Sequence, residues 1–327
     1  LIHKNPNHEP NNKDWPIEQG RIDRDSEIAI SEFAPLQEVI KDKEVIKCVG
    51  VGWLVRGRTG FIRGERYAIN RGVNVCTTCG SILFDDADSC LRCTEGDRNK
   101  FFSFRSWEPE YYIADFNGVA PYNGQVNVTR QNISEYPDLP SADFVNGPPG
   151  TNYKIKSQKG RLVRANTNRF SGYRFNRVSR GPVLPGVFIE QEAIGNIRTI
   201  DWQQNSGNLD IHEHPIALTT EKFTDFLLVT LKDWPTQYRS INPSPELRYC
   251  INGAWRSLAE IIGRGIVRME DIEPHEISVG IRPEISFESD GTRSWQWTIY
   301  IADTLDNGAG YSSKYEDPGE LARLFNY

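Results

Sequence analysis

Trp295-Gln296-Trp297-Thr298-Ile299-Tyr300-Ile301-Ala302-Asp303 alternates large and polar side chains before an apolar finish, which is the pattern of a β-strand. A glycine-rich turn, Asp303-Thr-Leu-Asp306-Asn307-Gly308-Ala-Gly310-Tyr311, follows directly. Pro318 then sits where the first turn of a helix tolerates a missing N–H, opening a helix over 319–327. Upstream, Leu258, Ile261, Ile262 and Ile266 recur at helical spacing within Trp255 to Met269, and Thr220-Glu-Lys-Phe-Thr-Asp-Phe-Leu-Leu-Val-Thr230 begins with a capping residue, so both stretches are expected to be helical.

Before Pro215 the character differs. Short aromatic or β-branched stretches recur between 100 and 217, separated by Asn, Gly and Pro clusters, and segments 44–56 and 60–70 carry the same pattern. An α+β fold follows: a strand-rich antiparallel sheet or barrel over 26–217, with a cysteine module inserted at 73–96, and a mixed helix and strand region over 218–327. Residues 1–25 are polar and read as a flexible lead-in. With 38% hydrophobic and 11% aromatic residues, the 327-residue chain can bury a core. No apolar run reaches the ~18 to 20 residues of a membrane span, and no leader pattern precedes Pro10, so a soluble, cytoplasmic protein is expected. The absence of Met at position 1 and the end at Tyr327 give the expectation of a fragment, or of pieces joined together. Asn127-Val-Thr129 and Asn132-Ile-Ser134 are chance matches to a glycosylation pattern in that setting.

Cys76-Thr-Thr-Cys79 and Cys90-Leu-Arg-Cys93 are two C-x2-C knuckles ten residues apart. Two such turns supply four thiolates in tetrahedral geometry, which suits Zn²⁺ at about 2.3 Å per sulfur. A structural zinc held by Cys76, Cys79, Cys90 and Cys93 is therefore expected, with paired disulfides as the alternative. Cys48 and Cys250 are isolated and read as core residues. His212-Glu-His214 lacks further ligands nearby and reads as a surface turn, and Gly147-Pro-Pro-Gly-Thr-Asn-Tyr-Lys154 lacks the terminal Gly-Lys-Ser/Thr of a nucleotide loop and reads as a Pro-Gly turn.

Charge is segregated. The net charge is −6, yet Arg56 to Arg71 holds five arginines and one acid, and Lys154 to Arg180 holds nine cations and no acid. These fourteen cations and one acid leave +13, while the other 284 residues, with 24 cations and 43 acids, carry −19. Cations interleaved with rings suit phosphate contact and base stacking. The candidate nucleic-acid contacts are Arg56, Arg58, Arg63, Arg66, Lys154, Lys156, Lys159, Arg161, Arg164, Arg169, Tyr173, Arg174, Arg177 and Arg180, with Phe170 and Phe175 as further rings. The alternative is a solvated sheet face that meets acids of this chain or of a partner. The turn from Asp303 to Tyr311 has three readings: a tight turn in which Gly308 and Gly310 allow close packing and Asp306 and Asn307 bond local amides, a contact for a partner or nucleic acid, and a pair of carboxylates, Asp303 and Asp306, for a divalent metal.

Ser31-Glu-Phe-Ala-Pro35, the knuckle Cys76 to Gly80, Trp255-Arg-Ser-Leu-Ala-Glu-Ile-Ile262, Asp271-Ile-Glu-Pro-His-Glu-Ile-Ser-Val-Gly280 and Ile301-Ala-Asp-Thr-Leu-Asp-Asn-Gly-Ala-Gly-Tyr311 together resemble the DrmB family, the helicase-associated component of the DISARM phage-defence system. The C-terminal part is also similar to the zinc-binding domain of mitomycin-repair helicases. The resemblance implies a non-catalytic subunit that binds DNA beside a superfamily 2, DrmA-like helicase. That family normally carries a further cysteine cluster beyond the Asn-Gly-Ala-Gly-Tyr turn, and this sequence stops at Tyr327 before any appears, so a second zinc site is either absent or lost from the fragment. A metal-dependent nuclease using Asp303 and Asp306 and a protein-only scaffold are the alternatives.

Overall fold

The computed structural model describes residues 1–3, 20–52, 55–57, 60–62, 69–78, 82–84, 90, 95–115, 118–126, 133–139, 143–179, 186–189, 200–201, 215–234, 245–287 and 293–326. In chain order, the first elements are β1 (Ile2–His3), β2 (Gly20–Arg21), α1 (Ser26–Glu32), β3 (Glu38–Lys41), β4 (Glu44–Gly52), β5 (Val55–Gly57) and β6 (Gly60–Ile62). Next come β7 (Ile69–Cys76), β8 (Ile82–Phe84), β9 (Phe101–Trp107), β10 (Tyr111–Ala114), β11 (Ala120–Pro121), β12 (Ile133–Asp138) and β13 (Val145–Asn146). Then follow β14 (Tyr153–Asn166), β15 (Arg177–Ser179), β16 (Gly186–Phe188), β17 (Ile200–Asp201) and β18 (Ile216–Leu231). The last elements are α2 (Pro245–Glu270), β19 (Ile277–Phe287), β20 (Arg293–Asp303) and α3 (Pro318–Asn326).

The chain forms two compact units. Unit 1 comprises Leu1–Val73, Ser103–Ser134 and Arg164–Thr220, and unit 2 comprises Asn74–Phe102, Glu135–Val163 and Glu221–Tyr327.

In unit 1 an open sheet has the order β17-β15-β16-β4-β10-β1-β2. Its core joins Ile30, Phe33, Ile46, Cys48, Val51, Trp107, Tyr112 and Phe175. Edge-to-face rings, Phe33 on Tyr112 and Trp107 on Phe175, set the packing. The sheet corrects the expected lead-in at two points. Leu1 is buried, and β1 pairs parallel to β10 and antiparallel to β2, so residues 1–3 and 20–21 belong to the sheet. Pairing is mixed as well, since β18 runs parallel to β9 from Ile216 to Leu218. Among the described residues the sheets are open, with no closed barrel.

In unit 2 the strand read from Trp295 to Asp303 is β20, paired over eleven positions with β19, from Ile277 opposite Asp303 to Phe287 opposite Arg293. The helices read near Trp255 and Pro318 are α2 and α3. Ala259, Ile262 and Ile266 of α2 and Leu321 and Leu324 of α3 pack with Leu227, Val229, Ile299 and Ile301. Close approach needs glycine on α2: a Cβ at Gly263 would stand 2.6 Å from Val279, and one at Gly265 would stand 2.8 Å from Leu324.

The expected helix from Thr220 is instead the greater, C-terminal part of β18. Phe226 and Leu228 join one apolar cluster while Leu227 and Val229 join another, so the run Phe226 to Val229 is a strand with both faces covered. A short continuous apolar run fits a buried strand as well as a helix, and only packing separates the two. Among the described residues no helix is long and apolar enough to cross a membrane.

Candidate nucleic-acid interface

The basic run lies largely on β14. Within unit 2, Ile155, Gly160 and Leu162 are buried, while Lys159 and Arg161 are exposed. Acids of neighbouring elements hold both cations. Lys159 Nζ donates to Asn307 O at 3.0 Å and stands 3.4 Å from Asp225, and Arg161 lies 3.1 Å from Asp138 and 3.5 Å from Glu221. Pairs of this exposure add little stability, about 0 to 1 kcal/mol each. They do neutralise cations that the sequence offered to phosphate. Lys154 and Lys156 are half-buried and enter no ion pair among the described residues.

In unit 1, Arg164 is largely buried and pairs with Glu27 of α1. Beyond it the chain makes a tight left-handed turn: Asn168, Arg169 and Phe170 have φ of 47°, 55° and 64°, and Gly172 has φ 66°. Left-handed backbone costs residues other than glycine roughly 1 to 2 kcal/mol each, with Asn the cheapest. A hydrogen-bond network compensates. Asn168 N–H donates to Asn166 Oδ1 at 3.0 Å, Asn168 Nδ2 to Gly172 O at 3.0 Å, Phe170 N–H to Thr167 Oγ1 at 3.3 Å and Gly172 N–H to Thr167 O at 2.9 Å. Asn166, fully buried, anchors the turn by donating to Ile30 O at 2.6 Å and accepting from the Tyr173 hydroxyl at 3.1 Å.

That network sorts the candidate residues. Arg169 and Arg174 are exposed, Phe170 is 48% exposed, and neither arginine enters an ion pair among the described residues. Tyr173, expected as a stacking ring, is 3% exposed, and Phe175 is also buried. Both rings serve the unit 1 core because the turn reverses the chain onto Ile216, with Tyr173 and Ile216 exchanging backbone hydrogen bonds at 2.8 and 2.9 Å. Arg177 begins β15 and is half-exposed. Arg56 lies on β5 opposite Phe61 of β6. Arg58, Arg63, Arg66, Arg180, His212, His214, the Asn127 triplet and Asn132 lie outside the described residues, while Ile133 and Ser134 of the second glycosylation-like triplet begin β12.

Of the four zinc-ligand candidates, Cys76 ends β7 and Cys90 stands alone between undescribed stretches. Both are buried in one apolar cluster with Leu83, Trp234, Ile251 and Trp297. Thr77 N–H donates to Lys100 O and Cys90 N–H to Glu95 O, both at 2.8 Å. Cys79 and Cys93 lie outside the described residues, among which no group of three or more potential ligands occurs. Two buried thiols, one from each knuckle, in the same cluster suit a tetrahedral thiolate site. Cys48 is a core thiol as expected. Cys250 differs from expectation and is exposed on α2.

The turn after β20 is built around one carboxylate. Asp303, fully buried, accepts from Ala309, Gly310 and Tyr311 N–H through Oδ2 at 2.8, 2.7 and 3.2 Å, and from Ser312 N–H through Oδ1 at 2.9 Å. Asp303, rather than Asp306 and Asn307, thus bonds the local amides. Asn307 donates its N–H to Phe223 O at 2.6 Å and adopts φ 68°. Gly308, at φ 79°, lies against Asp225, whose carboxylate a Cβ would meet at 2.0 Å, and Gly310 has φ 86°. Asp306 is exposed. The Pro148 to Thr151 turn closes with Thr151 N–H on Pro148 O at 3.1 Å, the ordinary Pro-Gly turn expected there.

Sequence reasoning did not foresee the acids that hold the run, Glu27, Asp138, Glu221 and Asp225. The signal present was the spacing of Glu221 and Asp225 on what proved to be a strand, where both belong to one face.

No protein-family model and no curated protein matches the chain. Among solved structures it is similar to the DUF1998 helicase MrfA, in a crystal structure bound to DNA, at 10% identity with a TM-score of 0.32. The alignment covers 83% of this chain, which spans about a third, 32%, of that one.

Proposed function

We propose that the chain is a non-catalytic DNA-binding subunit acting beside a superfamily 2, DrmA-like helicase in phage defence, with a structural Zn²⁺ on Cys76, Cys79, Cys90 and Cys93. The observation that carries the DNA half is the left-handed turn at 168–170. Backbone conformations that cost free energy persist where surrounding bonds over-determine them, and they concentrate at working surfaces. Here the result is an exposed arginine on a fixed backbone, Arg169, beside a half-exposed ring, Phe170, with Arg174 exposed nearby in sequence. Arginine suits bidentate phosphate contact and an exposed ring suits stacking. The helicase half rests on the sequence resemblance, and the zinc on the knuckle spacing together with the shared burial of Cys76 and Cys90.

Fluorescence anisotropy with labelled single-stranded and duplex oligonucleotides tests the DNA half. Arg169→Glu with Arg174→Glu should weaken binding at least tenfold and lower the salt slope by about 2, one per lost phosphate contact. Unchanged affinity in the double variant would sink the assignment. DNA incubated with Mg²⁺ should be recovered intact, whereas cleavage lost in Asp306→Ala would establish the nuclease instead. Zinc analysis should find one ion per chain, and Cys76→Ser should lose it; a chain that is well folded without metal would refute the structural role.

The ion pairs of Lys159, Arg161 and Arg164 favour a second reading, a protein-only scaffold in which the basic run is neutralised internally. Binding to DNA that ignores salt, or no binding at all, would decide for it.

A further inference from the structure

Glu95 lies two residues beyond Cys93 and is bonded at three points. Its carboxylate accepts from the Thr78 hydroxyl through Oε2 at 2.9 Å and from Asp97 N–H through Oε1 at 3.1 Å, and its backbone carbonyl accepts from Cys90 N–H at 2.8 Å. Thr78 stands between Cys76 and Cys79 of the first C-x2-C pair, and Cys90 opens the second. One residue thus bonds to both pairs, reaching 17 positions along the chain to Thr78. Asp97 in turn caps the short 3₁₀ turn Arg98–Lys100 by accepting from Asn99 N–H at 3.0 Å, and Lys100 O accepts from Thr77 N–H at 2.8 Å. The bonds close a ring from Thr78 through Glu95, Asp97 and Lys100 back to Thr77, all of it within unit 2.

Thr78 and Glu95 are half-buried. A hydroxyl bonded to a carboxylate is charge-assisted and about twice as strong as a neutral pair. Both carboxylate oxygens are engaged by donors of the chain, which suits Glu95 to support the thiolates rather than to replace one of them. Two C-x2-C pairs make a four-sulfur site only when they face one another across a single ion. Ordering two separate turns around the metal is a cost that subtracts from its affinity, unless the protein orders them beforehand. The apolar cluster with Leu83, Trp234, Ile251 and Trp297 gathers Cys76 and Cys90, and the Thr78 to Glu95 bond is a polar tie between the same two pairs.

We infer that Glu95 is a positioning residue of the zinc site: through the Thr78 hydroxyl it clamps the two cysteine pairs together, so that their thiolates are preorganised for Zn²⁺. Partners that stand behind metal ligands orient them, and losing one typically lowers metal affinity about 10- to 100-fold. The inference rests on the zinc reading above and names the residues that set the affinity of that site.

The test is the zinc affinity of the full chain, measured by competition with a chelator of known affinity, together with the absorption spectrum of Co²⁺ bound in place of zinc. Thr78→Val keeps the shape of the side chain and removes only the hydroxyl, so affinity should fall by about tenfold or more while Co²⁺ keeps its tetrahedral four-sulfur spectrum. Thr78→Ser restores the donor and should bind zinc as the wild type does. Glu95→Ala should lose at least as much as Thr78→Val, and the double variant no more than Glu95→Ala alone, because both substitutions remove one bond. Wild-type affinity in Thr78→Val, losses that add in the double variant, or a Thr78→Ser chain as weak as Thr78→Val would reject the clamp and leave the zinc reading standing. A wild type that holds no zinc, or whose four cysteines are paired as disulfides, would overturn that reading and the clamp with it.

Discussion

At the residue scale, Asp303 shows how one carboxylate can shape ten residues. Its two oxygens accept four backbone N–H groups that the glycine-rich turn leaves without a secondary-structure partner. Hydrogen bonds to a charged acceptor contribute about 1.5 to 3 kcal/mol, and unpaired buried donors cost about as much again. Asp303→Ala should therefore destabilise unit 2 by roughly 3 kcal/mol or more, and chemical denaturation will show it as a lower midpoint at unchanged slope. Asp306→Ala, at an exposed site, should shift the midpoint by less than about 0.5 kcal/mol. The sequence placed acids and glycines at this turn but not their division of labour, because which carboxylate points inward depends on the register of β20 against β19.

At the element scale, α2 is tied to the segment before α3 through Glu270. Its carboxylate accepts from Lys314 Nζ at 2.8 Å and from the Tyr315 hydroxyl at 2.6 Å. Burial raises the Glu270 pKa, but the hydrogen bonds from Lys314 and Tyr315 and the charges of Lys314 and Arg323 outweigh it and hold it below the ordinary value. Burial, reinforced by that carboxylate, pushes the Tyr315 phenol up. A depressed carboxyl pKa stabilises the fold above the unfolded value and loses that contribution as pH falls through the folded one. Glu270→Gln should thus cost roughly 1 to 2 kcal/mol at neutral pH. The gap should close as pH drops below about 4.3, the ordinary glutamate value. Thermal melts of both proteins between neutral pH and pH 3 read this directly, and a gap independent of pH would contradict it. The helices themselves were legible from apolar spacing. The long strand β18 was not, because an apolar run covered on both faces has no period to reveal it.

At the scale of the whole molecule, the thiols report on folding. Cys48 is fully buried, and burial pushes its pKa up to about 12, so little thiolate exists at neutral pH. Cys250 is exposed on α2. A maleimide at pH 7 to 8 should modify Cys250 in the native protein within minutes and reach Cys48 only under denaturing conditions, as peptide mass mapping will show. Native labelling of Cys48 would mean that the sheet of unit 1 opens without global unfolding. Both units are assembled from three separate stretches of chain. Such long-range pairing has no local signature in the sequence.

The sequence by itself determined the α+β character, the β20 strand with its turn and final helix, the spacing of the cysteine knuckles and the segregation of charge. Each of these is a matter of local pattern, set by side-chain period, turn chemistry or residue spacing. Tertiary structure alone decided which cations of the basic run stay available. Lys159, Arg161 and Arg164 meet acids 66, 60 and 137 positions away in the chain, at Asp225, Glu221 and Glu27. Arg169 is instead lifted clear on a left-handed turn that Asn166 anchors to Ile30. The physical reason is that an ion pair depends on distance in space, and only the packed sheet sets that distance.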